Sequence, residues 1–214
     1  MTLSLERVRQ VALQTGFNVG TVEKVIQLMN LLEAIEEHPV LRGKCALKGG
    51  TGLNLFVFSL PRLSVDIDLN LVDPLTREEL EALRPRAERA FMAVFRREGF
   101  TIRRSPTQHA GGKWRLGYAS VAGGSSNLEV DVNYVLRQPL WQPEMKDSAE
   151  LGEYSASNVR ILCEPELAAG KLSALFSRMQ ARDLFDAHQL LMRDSIDRAR
   201  LRIAFIVYGG LKTL

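Results

Sequence analysis

A mixed α/β fold of the α+β kind, with a twisted mixed sheet flanked by helices and a helical C-terminal region, is predicted by three observations. Residues 63–72 alternate strictly, with Leu63, Val65, Ile67, Leu69 and Leu71 against Ser64, Asp66, Asp68 and Asn70. A strand with one apolar and one polar face has this pattern. The same alternation returns in "NLEVDVNYV", where Glu129, Asp131 and Asn133 oppose Val130, Val132 and Tyr134. Helical periodicity dominates both ends of the chain.

In order from the N-terminus, residues 3–15 and 20–36 carry apolar side chains at helical spacing, with Gly16 and Gly20 as breaks. In "KGGTGLNLFVFSLPR" the pair Gly49-Gly50 forms a turn before a short helix that ends near Pro61. The strand 63–72 comes next. Thr76, with Glu79 three residues on, makes a capping box for a helix to about Arg97, and Pro85 is its candidate kink. "GFTIRRS", "KWRLGYASV" and "SNLEVDVNYVL" read as three strands separated by turns at Gly111-Gly112 and Gly123-Gly124, so the sheet is partly antiparallel. Residues 139–158 are polar and irregular, and "VRILC" is a further strand. Pro165 stands in the first turn of the next helix, and "RDLFDAHQLLMR" and "SIDRARLRIAFIVYG" are helical. A boundary near residue 160 divides the chain into a catalytic-looking region with a helical lead-in, 1–160, and a helical region packed on it, 161–214.

A chain of 214 residues, 46% hydrophobic and 25% charged, can bury a core without disulfides and leaves no room for long disorder. The net charge of +3 is small and points to anionic partners only where it is focused on one face. Cys45 and Cys163 sit in apolar contexts and read as reduced thiols rather than a disulfide or metal pair. Glu6, Arg7 and Arg9 interrupt the run that a signal peptide needs, and "LNLFVFSL" is too short for a bilayer. The expectation is a cytoplasmic protein with no membrane partner. His38, His109 and His188 share no ligand spacing, and no catalytic role is assigned to them.

Two aspartates at i and i+2 on one strand face lie close enough to lean both carboxylates towards one point. Like charges that close raise each other's pKa unless a cation sits between them. Mg²⁺, a hard ion held by one or two carboxylates and substrate phosphates, resolves the repulsion. Asp131, on the polar face of a second strand, adds a third carboxylate. Three carboxylates from neighbouring strands suit a two-metal phosphoryl-transfer site, with ions roughly 3.5 to 4 Å apart.

Gly49 and Gly50 allow backbone to approach a ligand, the helix after them offers free N–H groups to anions, and Thr51 adds a hydroxyl for a phosphate oxygen. On a wheel of residues 167–182, Ala168, Leu172, Leu175 and Met179 form the core stripe, with Lys171, Arg178 and Arg182 along its flank. Lys171 is the candidate for neutralising a triphosphate. Asp183 and Asp186 read either as an N-cap and its N3 partner or as carboxylates orienting Lys171 or Arg182.

The order "KGGTGLNLF", "LPRLSVDIDL", "EVDVN", a K-L-x-A-L-x-x-R helix and then R-D-x-x-D resembles the AbiEii-type toxin nucleotidyltransferases, the group that includes the MenT toxins, from about Glu23 to Leu191. The resemblance places the chain in the DNA polymerase β-like superfamily. It implies a nucleotidyltransferase sheet, a bound NTP, and Mg²⁺ as two ions, with Mn²⁺ as an alternative. It also implies transfer of a nucleotide, with release of pyrophosphate, to an RNA or protein acceptor; several relatives modify the tRNA 3′ end and so block translation. An antitoxin protein is the partner such a system implies. Carried across, Gly49, Gly50 and Thr51 take the phosphate-binding turn, Ser64 a nucleotide contact, and Asp66, Asp68 and Asp131 the metals. Lys171 takes the triphosphate, Asp186 the downstream acidic position and Arg178 a nucleotide contact, with Arg62 as a further transfer. Two departures stand out: Gly-Thr replaces the superfamily's Gly-Ser, and the chain, ending at Leu214, is shorter than many relatives. Two rival readings are nucleotidylation or phosphorylation of a protein hydroxyl, and a catalytically silent module that binds nucleic acid or an antitoxin.

Overall fold

The computed structural model describes residues 3–72, 76–105 and 111–210. In chain order the elements are α1 (Leu5–Thr15), α2 (Val19–Glu37), β1 (Cys45–Lys48), α3 (Gly49–Phe56), β2 (Asp66–Leu71), α4 (Arg77–Arg97), β3 (Thr101–Arg104), β4 (Gly111–Ala119), β5 (Ser125–Asn133), β6 (Glu144–Lys146), β7 (Val159–Ile161), α5 (Glu164–Arg178), α6 (Ala181–Leu191) and α7 (Arg198–Gly210). The strands form one sheet in the order β3-β4-β5-β2-β1-β7-β6. It is mixed, as expected: β2–β5 and β1–β7 run parallel, while β1–β2, β3–β4, β4–β5 and β6–β7 are antiparallel.

Local signals set most boundaries. The Ser4 hydroxyl accepts the Arg7 N–H at the start of α1, and Gly16, at φ 75°, closes that helix in the left-handed region. The Thr76 capping box is formed: Glu79 N–H donates to the Thr76 hydroxyl, and Thr76 N–H donates to the Glu79 carboxylate. α4 continues through Pro85. Thr76→Ala removes one of these bonds and is expected to cost about 1 kcal/mol, lowering the thermal midpoint by about 2–4 °C in a scanning unfolding experiment.

Some boundaries differ from the sequence expectation. Gly111 and Gly112 belong to β4 rather than to a turn, and a Cβ on Gly111 would stand 2.3 Å from the Val132 carbonyl oxygen of β5. The glycine therefore serves close strand approach. β1 and β6, four and three residues long, carry too little alternation to be read. The Gly49-Gly50 pair opens α3 instead of preceding it, and α3 stops at Phe56, before Pro61. Met179 is not in the core stripe: α5 ends at Arg178, and Met179 caps it with φ 46°, at 82% exposure. His109 lies outside the described residues.

One face of the sheet is apolar. Leu47, Ile67, Leu69, Trp114, Leu116, Val130 and Val132 are buried there. Trp114 packs on Phe91 and Phe95 of α4, with ring centroids 5.4 and 5.8 Å apart. α2 is buried on several sides, and its fully buried Glu23 is satisfied by the Ser120 hydroxyl (2.7 Å) and the Val121 N–H (2.8 Å) at the end of β4. The opposite face carries the polar side chains. At the start of α3, Gly52 faces Leu167 of α5, where a Cβ would meet its side chain at 3.2 Å. Cys45 and Cys163 are free and buried, and burial pushes both thiols up to about 12, so neither is a thiolate at neutral pH. No described helix is long and apolar enough to cross a membrane.

Candidate active site

The polar face is assembled by strand register. β2 pairs in parallel with β5, which sets Asp66 beside Glu129 and Asp68 beside Asp131. Directly paired residues share a face, so Asp66, Asp68 and Asp131 stand together on adjacent strands, half-buried and reachable from solvent. On the other side of β2, β1 pairs antiparallel and puts Lys48 opposite Asp68. Lys48 carries no pattern that singles it out in the sequence. Its one signal is its place directly before the glycine pair, because β1 is too short to show which way it points.

The charges of this cluster are coupled. Burial raises the Asp68 pKa; Lys48 pulls it back, while Asp131 and Asp66 push it further up. Burial lowers the Lys48 pKa, and the Asp68 and Asp131 carboxylates raise it. Lys48 is thus an internal counter-ion for a set of carboxylates that would otherwise repel. Gly49, at φ 73°, lies against Asp68: a Cβ there would stand 2.3 Å from Asp68 Oδ2. A Cβ on Gly50 would meet Ser64 Oγ at 2.9 Å and the Arg62 guanidinium at 3.2 Å. The glycine pair therefore lets α3 begin in contact with the side chains that face the cleft.

Thr51 does not join them. Its side chain is fully buried and its hydroxyl donates to the Asp66 carbonyl, so it pins α3 to β2 and has no proton to offer a phosphate. Ser64 is only partly buried and, among the described residues, makes no hydrogen bond.

A chain of alternating charges borders the cluster. Asp186 is fully buried and accepts two hydrogen bonds from the Arg62 guanidinium, one from Asn54, and an ion pair from Lys171 Nζ at 2.9 Å. The same ammonium reaches Asp183 at 2.9 Å, and Asp183 also holds Arg178 through bonds of 2.6 and 3.0 Å. Burial alone would raise the Asp183 pKa, but hydrogen bonds and charge from Arg178 and Lys171 prevail and hold it at about 2. Burial likewise opposes, and Arg62 and Lys171 outweigh, so Asp186 sits below the ordinary carboxylate range.

Asp186 is fully buried and enclosed by Arg62, Asn54 and Lys171. Two expectations change accordingly. Asp183 and Asp186 both hold Lys171, as the second of their two readings expects, but the arginines they hold are Arg178 on Asp183 and Arg62 on Asp186 in place of Arg182, and the N-cap of α6 is Gln180. Lys171 is not a free cation, since two carboxylates already hold it. These residues come from positions up to 132 apart in the chain, which is why local patterns could not pair them.

A cavity of about 240 Å³ opens beside Asp68, lined on its polar side by Lys48, Lys171 and Arg178 together with Glu166 and Tyr208, and on its apolar side by Leu136 and Leu167. A charged floor beside an apolar wall suits a ligand with both anionic and planar apolar parts. Among the described residues, no three carboxylate, imidazole or thiolate groups converge to hold a metal alone. Mg²⁺ needs only one or two carboxylates when water and phosphate complete its shell, and the Asp68–Asp131 pair with Asp66 beside it is a donor set of that kind.

The sequence model of the nucleotidyl transferase AbiEii toxin of type IV toxin–antitoxin systems matches residues 30–211. Among solved structures, the fold matches MenT4, a nucleotidyltransferase toxin from Mycobacterium tuberculosis H37Rv, with a TM-score of 0.71 and 19% identity over 97% of this chain and 70% of that one. No curated protein matches the sequence. At so low an identity the structural likeness speaks for the fold, while the sequence match spans most of the chain and speaks for descent. This chain belongs to the AbiEii nucleotidyltransferase toxin family of type IV toxin–antitoxin systems, and it is an enzyme of that class.

Proposed function

We propose that the protein transfers a nucleotide from an NTP to the terminal hydroxyl of an RNA, the tRNA 3′ end foremost, and thereby blocks translation, with an antitoxin as its controlling partner. The observation that carries this reading is the register that puts Asp66, Asp68 and Asp131 on one face, next to a cavity whose lining includes the cations Lys48, Lys171 and Arg178. Mg²⁺ bound by these carboxylates would supply charge neutralisation for the phosphates and acidify the acceptor hydroxyl.

The chain's own groups do the rest. Asp131, at the outer side of the carboxylate row, accepts the proton of the acceptor hydroxyl. The new bond forms between that oxygen and the α-phosphorus, the bond from the α-phosphorus to the bridging oxygen breaks, and pyrophosphate leaves. Lys48 and Arg178 face the cavity as cations for the triphosphate. Lys171 has two of its three N–H groups committed to Asp183 and Asp186 and directs the third at a phosphate oxygen. The Ser64 hydroxyl, unpaired beside Gly50, contacts the nucleotide.

Incubation of the purified protein with each α-labelled NTP, Mg²⁺, total RNA and total protein tests the reading. Label in tRNA is the expected result. Label in protein alone would replace RNA by a protein hydroxyl as acceptor, and no label in either would overturn the proposed activity.

A further inference from the structure

The polar face of the sheet does not end at the carboxylates. β4 pairs antiparallel with β5, placing Lys113 beside Asp131 and Arg115 beside Glu129, on the same face as the proposed site. β3 extends the face to the sheet edge. The register shifts between Ile102 and Arg104, so that Arg104 pairs with Arg115 and Arg103 is the extra residue. A bulge of this kind re-aims side chains. Here it turns both arginines onto the polar face: the Arg103 side chain lies across Gly117, whose missing Cβ would stand 2.4 Å from its Nε.

The result is a row of four exposed cations, Arg103, Arg104, Arg115 and Lys113, leading from the edge of the sheet to Asp131. Lys113 pairs with Glu129 at 3.4 Å, but among the described residues the three arginines have no ion pair. Like charges opposed across a strand pair, as Arg104 and Arg115 are, destabilise a sheet. An anion bound between them removes that cost. Guarding an edge strand against unwanted pairing would also place charge on β3. It would not require Arg115 and Lys113 one strand further in, nor all four on the face that continues into the carboxylates.

We propose that this row binds the phosphate backbone of the acceptor RNA as a single strand and leads its end to Asp131. Adjacent strands lie about 4.8 Å apart, so the row and Asp131 fall within a few nucleotides of one another. The inference rests on the RNA-acceptor reading above. It adds where the acceptor lies: over β3 and β4, on the far side of the carboxylates from the triphosphate cavity.

The test uses the full chain and needs no catalysis. Binding of a short fluorescein-labelled single-stranded RNA is followed by anisotropy at increasing salt, without NTP or metal, for the wild type and for Arg103→Gln/Arg104→Gln/Arg115→Gln. Single-stranded binding carries a salt slope of about 0.7 per phosphate contact, so losing three contacts is expected to reduce the slope by roughly 2 and the affinity at low salt at least tenfold. The matching Arg→Lys triple variant keeps the charges and is expected to retain the slope. Circular dichroism and binding of a fluorescent NTP analogue are expected to stay at wild-type values. An unchanged slope and affinity in the glutamine variant, or no RNA binding by the wild type, overturns the proposal. RNA binding through this row without labelling of RNA would keep the surface and reject the proposed reaction instead.

Discussion

Asp68→Asn is expected to abolish nucleotide transfer, lowering the rate by roughly three orders of magnitude, and to leave a folded protein. Asp68 is the central carboxylate: it is paired with Asp131 on one side and Lys48 on the other, with Asp66 on the same strand face. Asn keeps the shape, so Gly49 can still pack against it, but an amide cannot serve as an anionic ligand. Removing the charge relieves the desolvation cost of burial, the largest effect on this carboxyl, and the repulsion from Asp131 and Asp66, and it forfeits the attraction of Lys48, so the fold is expected to hold its stability or gain slightly. The two readouts are label transfer from the NTP and the urea midpoint. Transfer at the wild-type rate would remove Asp68 from the mechanism, and a collapsed midpoint would make its role structural.

Lys171→Met is expected to have the largest effect on stability. The ammonium is 5% exposed and bridges two fully buried carboxylates, so its removal leaves Asp183 and Asp186 facing each other with one guanidinium apiece. Breaking a buried ion pair from one side costs about 3–5 kcal/mol. For a chain of this size that lowers the thermal midpoint by about 10 °C. The pH dependence should move with it. Asp183 is held at about 2 against an ordinary 3.8, so its contribution of about 2 kcal/mol is complete above 3.8 and is lost as pH falls from there through about 2. Without Lys171 the Asp183 pKa rises, and acid unfolding is expected to begin at higher pH than in the wild type. Urea titrations across this range check both statements. An unchanged midpoint would show that Arg62 and Arg178 suffice.

Periodic features and their direct consequences were legible in the chain before it folds. Alternation put Asp66 and Asp68 on one face of a strand and Asp131 on the like face of another. The pair Thr76 and Glu79 marked the start of α4, and the glycines at 123 and 124 marked the turn between β4 and β5. These are short-range properties, since the pleat and the helical turn repeat within a few residues. Which strands adjoin is settled only in the folded molecule. Parallel pairing of β2 with β5 joined Asp68 to Asp131, and a four-residue strand with no readable pattern supplied Lys48. Burial, equally non-local, turned Thr51 into a backbone anchor and enclosed Asp186 and Lys171 in one ion network with Arg62 and Asn54. A side chain's type says what it can bond, but the choice among partners is made where distant segments exclude water together, and the alternation of a single strand carries no record of that.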